Sequence, residues 1–100
     1  MPLPHKWTTV AKLINQPRSH INGASVVYNG HIIIMGGEGP GRVALRNVEA
    51  YDPVTNKWTA LDPLPSGRSS GIGVVINGKL IFNGGYSGQF NSQTWIGTFS

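Results

Sequence analysis

Few side chains in this 100-residue sequence are of the kinds that perform acid–base or metal chemistry. A metal site needs several ligands at short spacings, and acid–base catalysis needs two groups that face each other. No histidine here has a carboxylate beside it in the chain, and there is no cysteine to supply a thiolate or a disulfide. We therefore expect no catalytic residue, no metal and no cofactor. The acids are Glu38, Glu49, Asp52 and Asp62, and the histidines are His5, His20 and His31.

The glycine-rich run from Gly36 to Gly41 resembles a phosphate-binding loop only in composition. Such loops end in Gly-Lys-Ser/Thr and lead into a helix whose N-terminus holds the anion. This run has neither feature, so we predict a loop that binds no phosphate.

The positive charges are spread along the chain. Eight Lys and Arg residues against four acids give a formal net charge of +4. A nucleic-acid interface clusters such residues, so we expect no nucleic-acid binding. No apolar run is long enough to span a bilayer, and the first seven residues lack the apolar segment of a secretory signal. If Met1 is the native start, we expect a cytoplasmic location. The basic residues are Lys6, Lys12, Arg18, Arg42, Arg46, Lys57, Arg68 and Lys79.

The sequence repeats itself at a spacing of about 50 residues, a period typical of some β-propellers. Two apolar runs joined by Asn-Gly and followed by Gly-Gly occur at 25–37 and again at 73–85. Arg18-Ser19 recurs as Arg68-Ser69, and Lys6-Trp7-Thr8 recurs as Lys57-Trp58-Thr59. Each half of the chain therefore encodes one copy of the same structural unit.

Each copy predicts antiparallel strands. Asn-Gly between two β-rich runs indicates a two-residue hairpin, so we expect turns at Asn29-Gly30 and Asn77-Gly78. The runs are apolar throughout, which favours burial on both faces. In the first copy a third strand follows at Val48–Tyr51 and a fourth at Lys57–Leu61. No segment shows helical periodicity.

The run from Asn47 to Trp58, with Gly-Gly before it and Arg68-Ser69 after it, resembles a kelch repeat. The resemblance covers nearly the whole chain and implies an all-β fold, a kelch-type β-propeller with two four-stranded antiparallel blades in an incomplete ring. The second copy departs from the pattern, because Ile96 to Phe99 stand where Ala50 to Pro53 would recur. That copy is degenerate or stops early.

We expect three segments: an orphan fourth strand in 1–17, a complete blade in 18–65 and strands one to three of the next blade in 66–100. Trp7–Val10 should then pair with the third-strand segment Gln93–Phe99, within one chain or between neighbours; the kelch resemblance implies a similar pairing of termini. Trp7, Trp58 and Tyr51 are expected in the core.

Two blades cannot close a ring of the four to eight that propellers contain. Two alternatives therefore stay open. The chain is a piece of a larger propeller, or copies assemble head to tail, three copies giving six blades.

The resemblance also implies a binding face, made of the loops before the first strand and between the second and third strands. In peptide-binding relatives, Arg and Ser of the first loop and aromatic or polar residues of the second loop make the contacts. The matching residues are Arg18, Ser19, His20, Arg68, Ser69 and Ser70 in the first kind of loop, and Glu38, Arg42, Tyr86, Gln89 and Phe90 in the second.

The sequence therefore favours a non-catalytic module that binds a protein or an acidic peptide, because Arg pairs with carboxylates and aromatic rings supply contact area. A structural role for Arg18 and Arg68, bonding loop carbonyls, is the alternative at those two positions. The alternative function is a carbohydrate-active propeller similar to sialic-acid mutarotases, with Glu38 and Arg42 as its acid–base and anion-binding residues.

Overall fold

A computed structural model of the chain describes residues 6–14 and 16–99. These residues form nine antiparallel strands and one 3-10 turn at Pro40–Arg42. The strands are β1 (Ser25–Tyr28), β2 (His31–Met35), β3 (Glu38–Gly39), β4 (Val43–Ala44), β5 (Val48–Asp52), β6 (Lys57–Leu61), β7 (Ile72–Ile76), β8 (Lys79–Asn83) and β9 (Thr94–Thr98). The first sheet has the order β1-β2-β5-β6, the second has the order β7-β8-β9, and β3 pairs with β4 alone.

Both predicted hairpins are confirmed. Asn29 and Gly30 have φ values of 50° and 76°, and Asn77 and Gly78 have 51° and 72°. These are the left-handed values that a two-residue hairpin turn requires at both central positions. Tyr28 pairs with His31 across the first turn, and the turn at 77–78 aligns β7 with β8 in the same way. The third and fourth strands of the first sheet also form where the sequence predicts them.

The two sheets pack face to face around one core. Ile33, Met35 and Val48 of the first sheet meet Phe82 of the second, with Tyr28, Leu80 and Trp95 partly buried around them. Gly73 allows this close approach, since a Cβ there would overlap the Met35 side chain. The outward faces are exposed in the single chain, so the expectation of burial on both faces is wrong for it.

The N-terminal segment does not form the predicted strand. Residues 6–13 have no regular structure, and the Trp7 side chain is 95% exposed, so neither pairing with β9 in the same chain nor the core position of Trp7 is found. Pairing between neighbouring chains stays a prediction. Trp58 and Tyr51 do pack together, with ring centroids 5.1 Å apart and Tyr51 buried. Residues 1–5, Asn15 and Ser100 of the predicted segments lie outside the described residues.

Candidate functional site

The two kinds of loop in each repeat are joined by the same backbone bridge. In the first repeat, Ser19 N donates to Glu38 O at 2.9 Å and Glu38 N donates to Ser19 O at 2.8 Å. In the second repeat, Ser69 and Tyr86 exchange the equivalent pair of bonds at 2.9 and 2.8 Å. The loop before the first strand therefore lies beside the loop after the second strand in both repeats. The bridges thus place Ser19 beside Glu38 and Ser69 beside Tyr86.

A cleft of about 730 Å³ opens between the loops of the two repeats; we call it the loop cleft. It brings together five predicted site residues, namely His20, Glu38, Arg42, Ser69 and Tyr86. The remaining lining residues are Ala44, Ser87 and Gly88. Its volume is within the range of small-molecule and peptide side-chain sites.

A polar cluster occupies one side of the loop cleft. Ser19 Oγ lies 2.8 Å from His20 Nδ1, and Glu38 Oε1 lies 3.8 Å from the same nitrogen. A nucleophilic triad needs its hydroxyl and its carboxylate on opposite nitrogens of the imidazole. Because both groups here approach Nδ1, the cluster is not arranged as a triad. It can donate and accept hydrogen bonds to a bound molecule.

Three residues around the loop cleft have a left-handed backbone conformation. His20, Arg42 and Ser70 have φ values of 59°, 61° and 57°. Such values are uncommon for residues other than glycine and concentrate at functional sites. Ser70 N donates to His20 O at 2.9 Å, which ties the two repeats together at this point.

The loop after β8 carries two aromatic rings. Tyr86 and Phe90 make an edge contact with ring centroids 5.4 Å apart, and Phe90 is 90% exposed. The Asn91 side chain donates to the backbone oxygens of Gly85 and Gln89 at 3.3 and 3.0 Å, which shapes the loop. An exposed aromatic pair on a shaped loop offers a ready contact surface. Gln89 lies exposed at the same loop tip.

Arg18 does not line the loop cleft. Its side chain is fully buried and forms an ion pair with Glu49 of β5. One terminal nitrogen also donates to the backbone oxygens of Gly36 and Asn47 at 3.0 and 3.2 Å. The guanidinium is thus occupied by the chain itself, as the structural alternative for this residue predicts.

Arg68 is held in the same position of the second repeat by different partners. It is 4% exposed, and its guanidinium carbon lies 4.8 Å from the centroid of the Trp95 ring. Its terminal nitrogens donate to Gly67 O at 2.8 Å and to Gln93 Oε1 at 2.6 Å. Arg68 and the buried Ser69 therefore have little surface for a partner.

Sequence reasoning missed the residues that hold these arginines and shape the loop: Glu49, Gln93, Trp95 and Asn91. Asn91 could have been found, because Asn in a Gly- and Ser-rich loop commonly bonds nearby backbone. The other three act across the fold, and no local pattern marks them.

Among residues 6–14 and 16–99, no three His, Asp or Glu side chains lie close enough to hold a metal ion. In the same residues, no helix has the length and apolar character needed to cross a membrane.

Comparison with known proteins gives a consistent result. The family model described as Kelch motif matches residues 21–65. Spermatocyte protein spe-26 of Caenorhabditis elegans is 36% identical over 74% of this chain and 14% of its own length. An F-box/kelch-repeat protein of Arabidopsis thaliana is 39% identical over 83% of this chain and 21% of its own length. The chain thus spans about a fifth or less of these relatives.

A solved structure, that of YjhT, superposes with a TM-score of 0.67 at 30% identity. The match covers 82% of this chain and 24% of the other. This superposition agrees with the sequence repeat, with the two face-to-face antiparallel sheets and with the family match. The chain contains a Kelch motif at residues 21–65 and has the kelch-type β-propeller fold, with antiparallel sheets that do not close a ring.

Proposed function

We propose that the chain is a non-catalytic binding module that takes a protein segment or peptide in the loop cleft. The observation that carries this proposal is the shared loop bridge, which gathers five of the predicted contact residues around one opening. Kelch repeats are commonly protein-interaction modules, which supports the same assignment. The contact residues are His20, Glu38, Arg42, Tyr86, Gln89 and Phe90, with Ser19 supporting His20.

The preferred ligand in this proposal is acidic. Arg42 is exposed at the loop cleft, and among the described residues it takes part in no ion pair. Its guanidinium can pair with a carboxylate in a bidentate way, and the Tyr86–Phe90 pair can cover an apolar side chain beside it. Arg18 and Arg68 are left out of the contact surface because they are buried. The proposed location of the protein is the cytoplasm.

The test is calorimetric titration with acidic and neutral peptides of equal length. Arg42→Ala and Phe90→Ala should each weaken binding of the acidic peptide by about 5- to 30-fold, the effect of losing an interface anchor. Lys57→Ala and Val54→Ala are matched controls, since Lys57 carries the same charge and Val54 is 92% exposed, and both lie by the β5–β6 turn. The proposal would be contradicted if the variants and the controls lost equal affinity, or if the native chain bound the acidic and neutral peptides equally well.

A carbohydrate-active propeller is the second candidate, because Glu38 and Arg42 line the same cleft. A carboxylate and a guanidinium in one opening are what acid–base chemistry on a sugar acid needs. The test is NMR observation of sialic-acid mutarotation. Activity lost in Glu38→Gln, with no peptide bound by the native chain, would replace the binding module with this enzyme.

Self-association to complete the propeller is also part of the proposal. The outward faces of both sheets expose large apolar side chains; Val27 is 74% exposed on the first sheet and Ile72 is 61% exposed on the second. Exposed apolar surface on a sheet face is typical of interaction sites.

A further inference from the structure

The charge of the loop cleft depends on one histidine. Among the described residues that line it, His20 carries the only imidazole, the side chain whose charge changes between about pH 5 and 8. The other ionisable groups of the lining are the carboxyl of Glu38, the guanidinium of Arg42 and the phenol of Tyr86. Groups of these three kinds titrate outside that range. A change of pH within the range therefore alters the charge of the cleft through His20.

Protonation of His20 changes the cleft from balanced to positive. With the imidazole neutral, the negative charge of Glu38 and the positive charge of Arg42 cancel within the lining. A proton on the imidazole then leaves one positive charge in excess. Arg18 and Arg68, which adjoin the lining in sequence, keep the same charge throughout, because guanidinium groups are not deprotonated in proteins. An acidic ligand is therefore attracted more strongly when His20 is charged.

The chain also supplies partners for a charged imidazole. An imidazolium carries a hydrogen on both ring nitrogens, so both donate. Nδ1 of His20 lies 2.8 Å from Ser19 Oγ and 3.8 Å from Glu38 Oε1, and both oxygens can accept its hydrogen. In the part of the chain that the structure describes, Nε2 has no hydrogen-bond partner, and half of the side chain is exposed. Nδ1 thus holds the charged ring to the chain, which leaves Nε2 to donate to a bound carboxylate.

We propose that protonation of His20 regulates the loop cleft, so that an acidic peptide binds more tightly as the pH falls from about 8 to about 5.5. This inference rests on the proposed function of the cleft. The sign follows from the charges, because a neutral imidazole offers the ligand no charge at the higher pH, whereas an imidazolium faces the carboxylate at the lower pH. By linkage, a bound carboxylate favours the protonated ring by the same factor. Binding therefore takes up protons.

A second histidine provides a matched control. His31 Nε2 lies 3.8 Å from Asp52 Oδ2, the same distance that separates His20 Nδ1 from Glu38 Oε1. The side chain of His31 is 39% exposed, against 50% for His20. His31 begins β2 and is not among the residues that line the loop cleft. The two histidines thus have similar surroundings, but only His20 adjoins the proposed ligand.

Calorimetric titration with an acidic peptide at about pH 8 and about pH 5.5 tests the inference. The native chain should bind about 5-fold more tightly at the lower pH, the effect of one partly exposed ion pair. His20→Gln should bind equally at both pH values, and His20→Lys, which stays charged, should bind as tightly at the higher pH as at the lower. His31→Gln should keep the full 5-fold change. A neutral peptide of equal length should show no change.

Proton uptake gives a second measurement that a purely structural role of His20 would not alter. Titration at about pH 6.5 in buffers of different ionisation enthalpy should show uptake by the native chain and by His31→Gln, but none by His20→Gln or His20→Lys. Equal native affinity at both pH values, or a pH dependence that persists in His20→Lys, would overturn the inference and leave the loop-cleft proposal standing. Absence of peptide binding at either pH would overturn the proposed function, and this inference with it.

Discussion

Arg18 and Arg68 occupy the same position in the two repeats, but the chain balances their charges in two different ways. Arg18 meets the carboxylate of Glu49 on β5. Arg68 lies over the ring of Trp95 on β9 and bonds neutral acceptors. Glu49 and Trp95 are themselves equivalent, since they pair with Ile34 and Phe82 at the same point of each repeat.

The difference shows which part of the repeat is fixed and which varies. Each arginine lies close to the second glycine of its Gly-Gly pair, where an added Cβ would crowd the arginine side chain. The residue at the equivalent position of the third strand, Glu49 or Trp95, determines whether a carboxylate or an aromatic ring faces the guanidinium. A buried ion pair depends strongly on both partners, whereas a cation–π contact with neutral hydrogen bonds is a weaker arrangement. The first sheet should therefore be the more sensitive of the two to loss of its partner.

Glu49→Ala should give the largest effect. It leaves the fully buried Arg18 without its carboxylate, and breaking a buried pair in this way costs about 3–5 kcal/mol of unfolding free energy. Chemical denaturation of the variant measures the loss. Arg18→Met combined with Glu49→Leu should recover much of it, because an apolar pair carries no uncompensated charge. Glu38→Ala, which removes a partly exposed carboxylate, is the control. A loss below about 1 kcal/mol for Glu49→Ala would contradict the ion pair's structural role.

Arg68→Ala should come next, at about 2–4 kcal/mol, from the lost ring contact with Trp95 and the lost hydrogen bonds to Gly67 and Gln93. Trp95→Phe keeps an aromatic face and should cost less than Trp95→Leu. Denaturation of the three variants gives the order. If Arg68→Ala left stability unchanged but weakened peptide binding, Arg68 would be a contact residue, as the sequence-based hypothesis predicts.

The parts of the fold that sequence predicted are those set by local chemistry. Asn-Gly turns fix the hairpins because few residues adopt two consecutive left-handed conformations. The apolar runs on either side then define β1, β2, β7 and β8. The β3–β4 hairpin was missed because its strands are two residues long and its turn is rich in glycine and proline.

The site was predictable in its loops but not in its side-chain directions. The position of His20, Glu38 and Tyr86 at one opening follows from the repeat. Whether Arg18 points to solvent or inward depends on Glu49, 31 residues away in sequence. Such contacts are tertiary, so no local pattern can report them.

The smallest expected effect compares the hairpin turns of the two sheets. Asn29→Ala and Asn77→Ala should each cost about 1 kcal/mol, since alanine disfavours the left-handed φ of 50° and 51° that these turns use. Asn29→Gly and Asn77→Gly are controls that keep the turn accessible and should cost less. Local hydrogen exchange of the two hairpins reports each loss separately, because it measures opening of one segment at a time. If the repeat alone sets hairpin stability, the two losses are equal. A larger loss at Asn77 would show that the three-stranded second sheet supports its hairpin less well than the complete first sheet does.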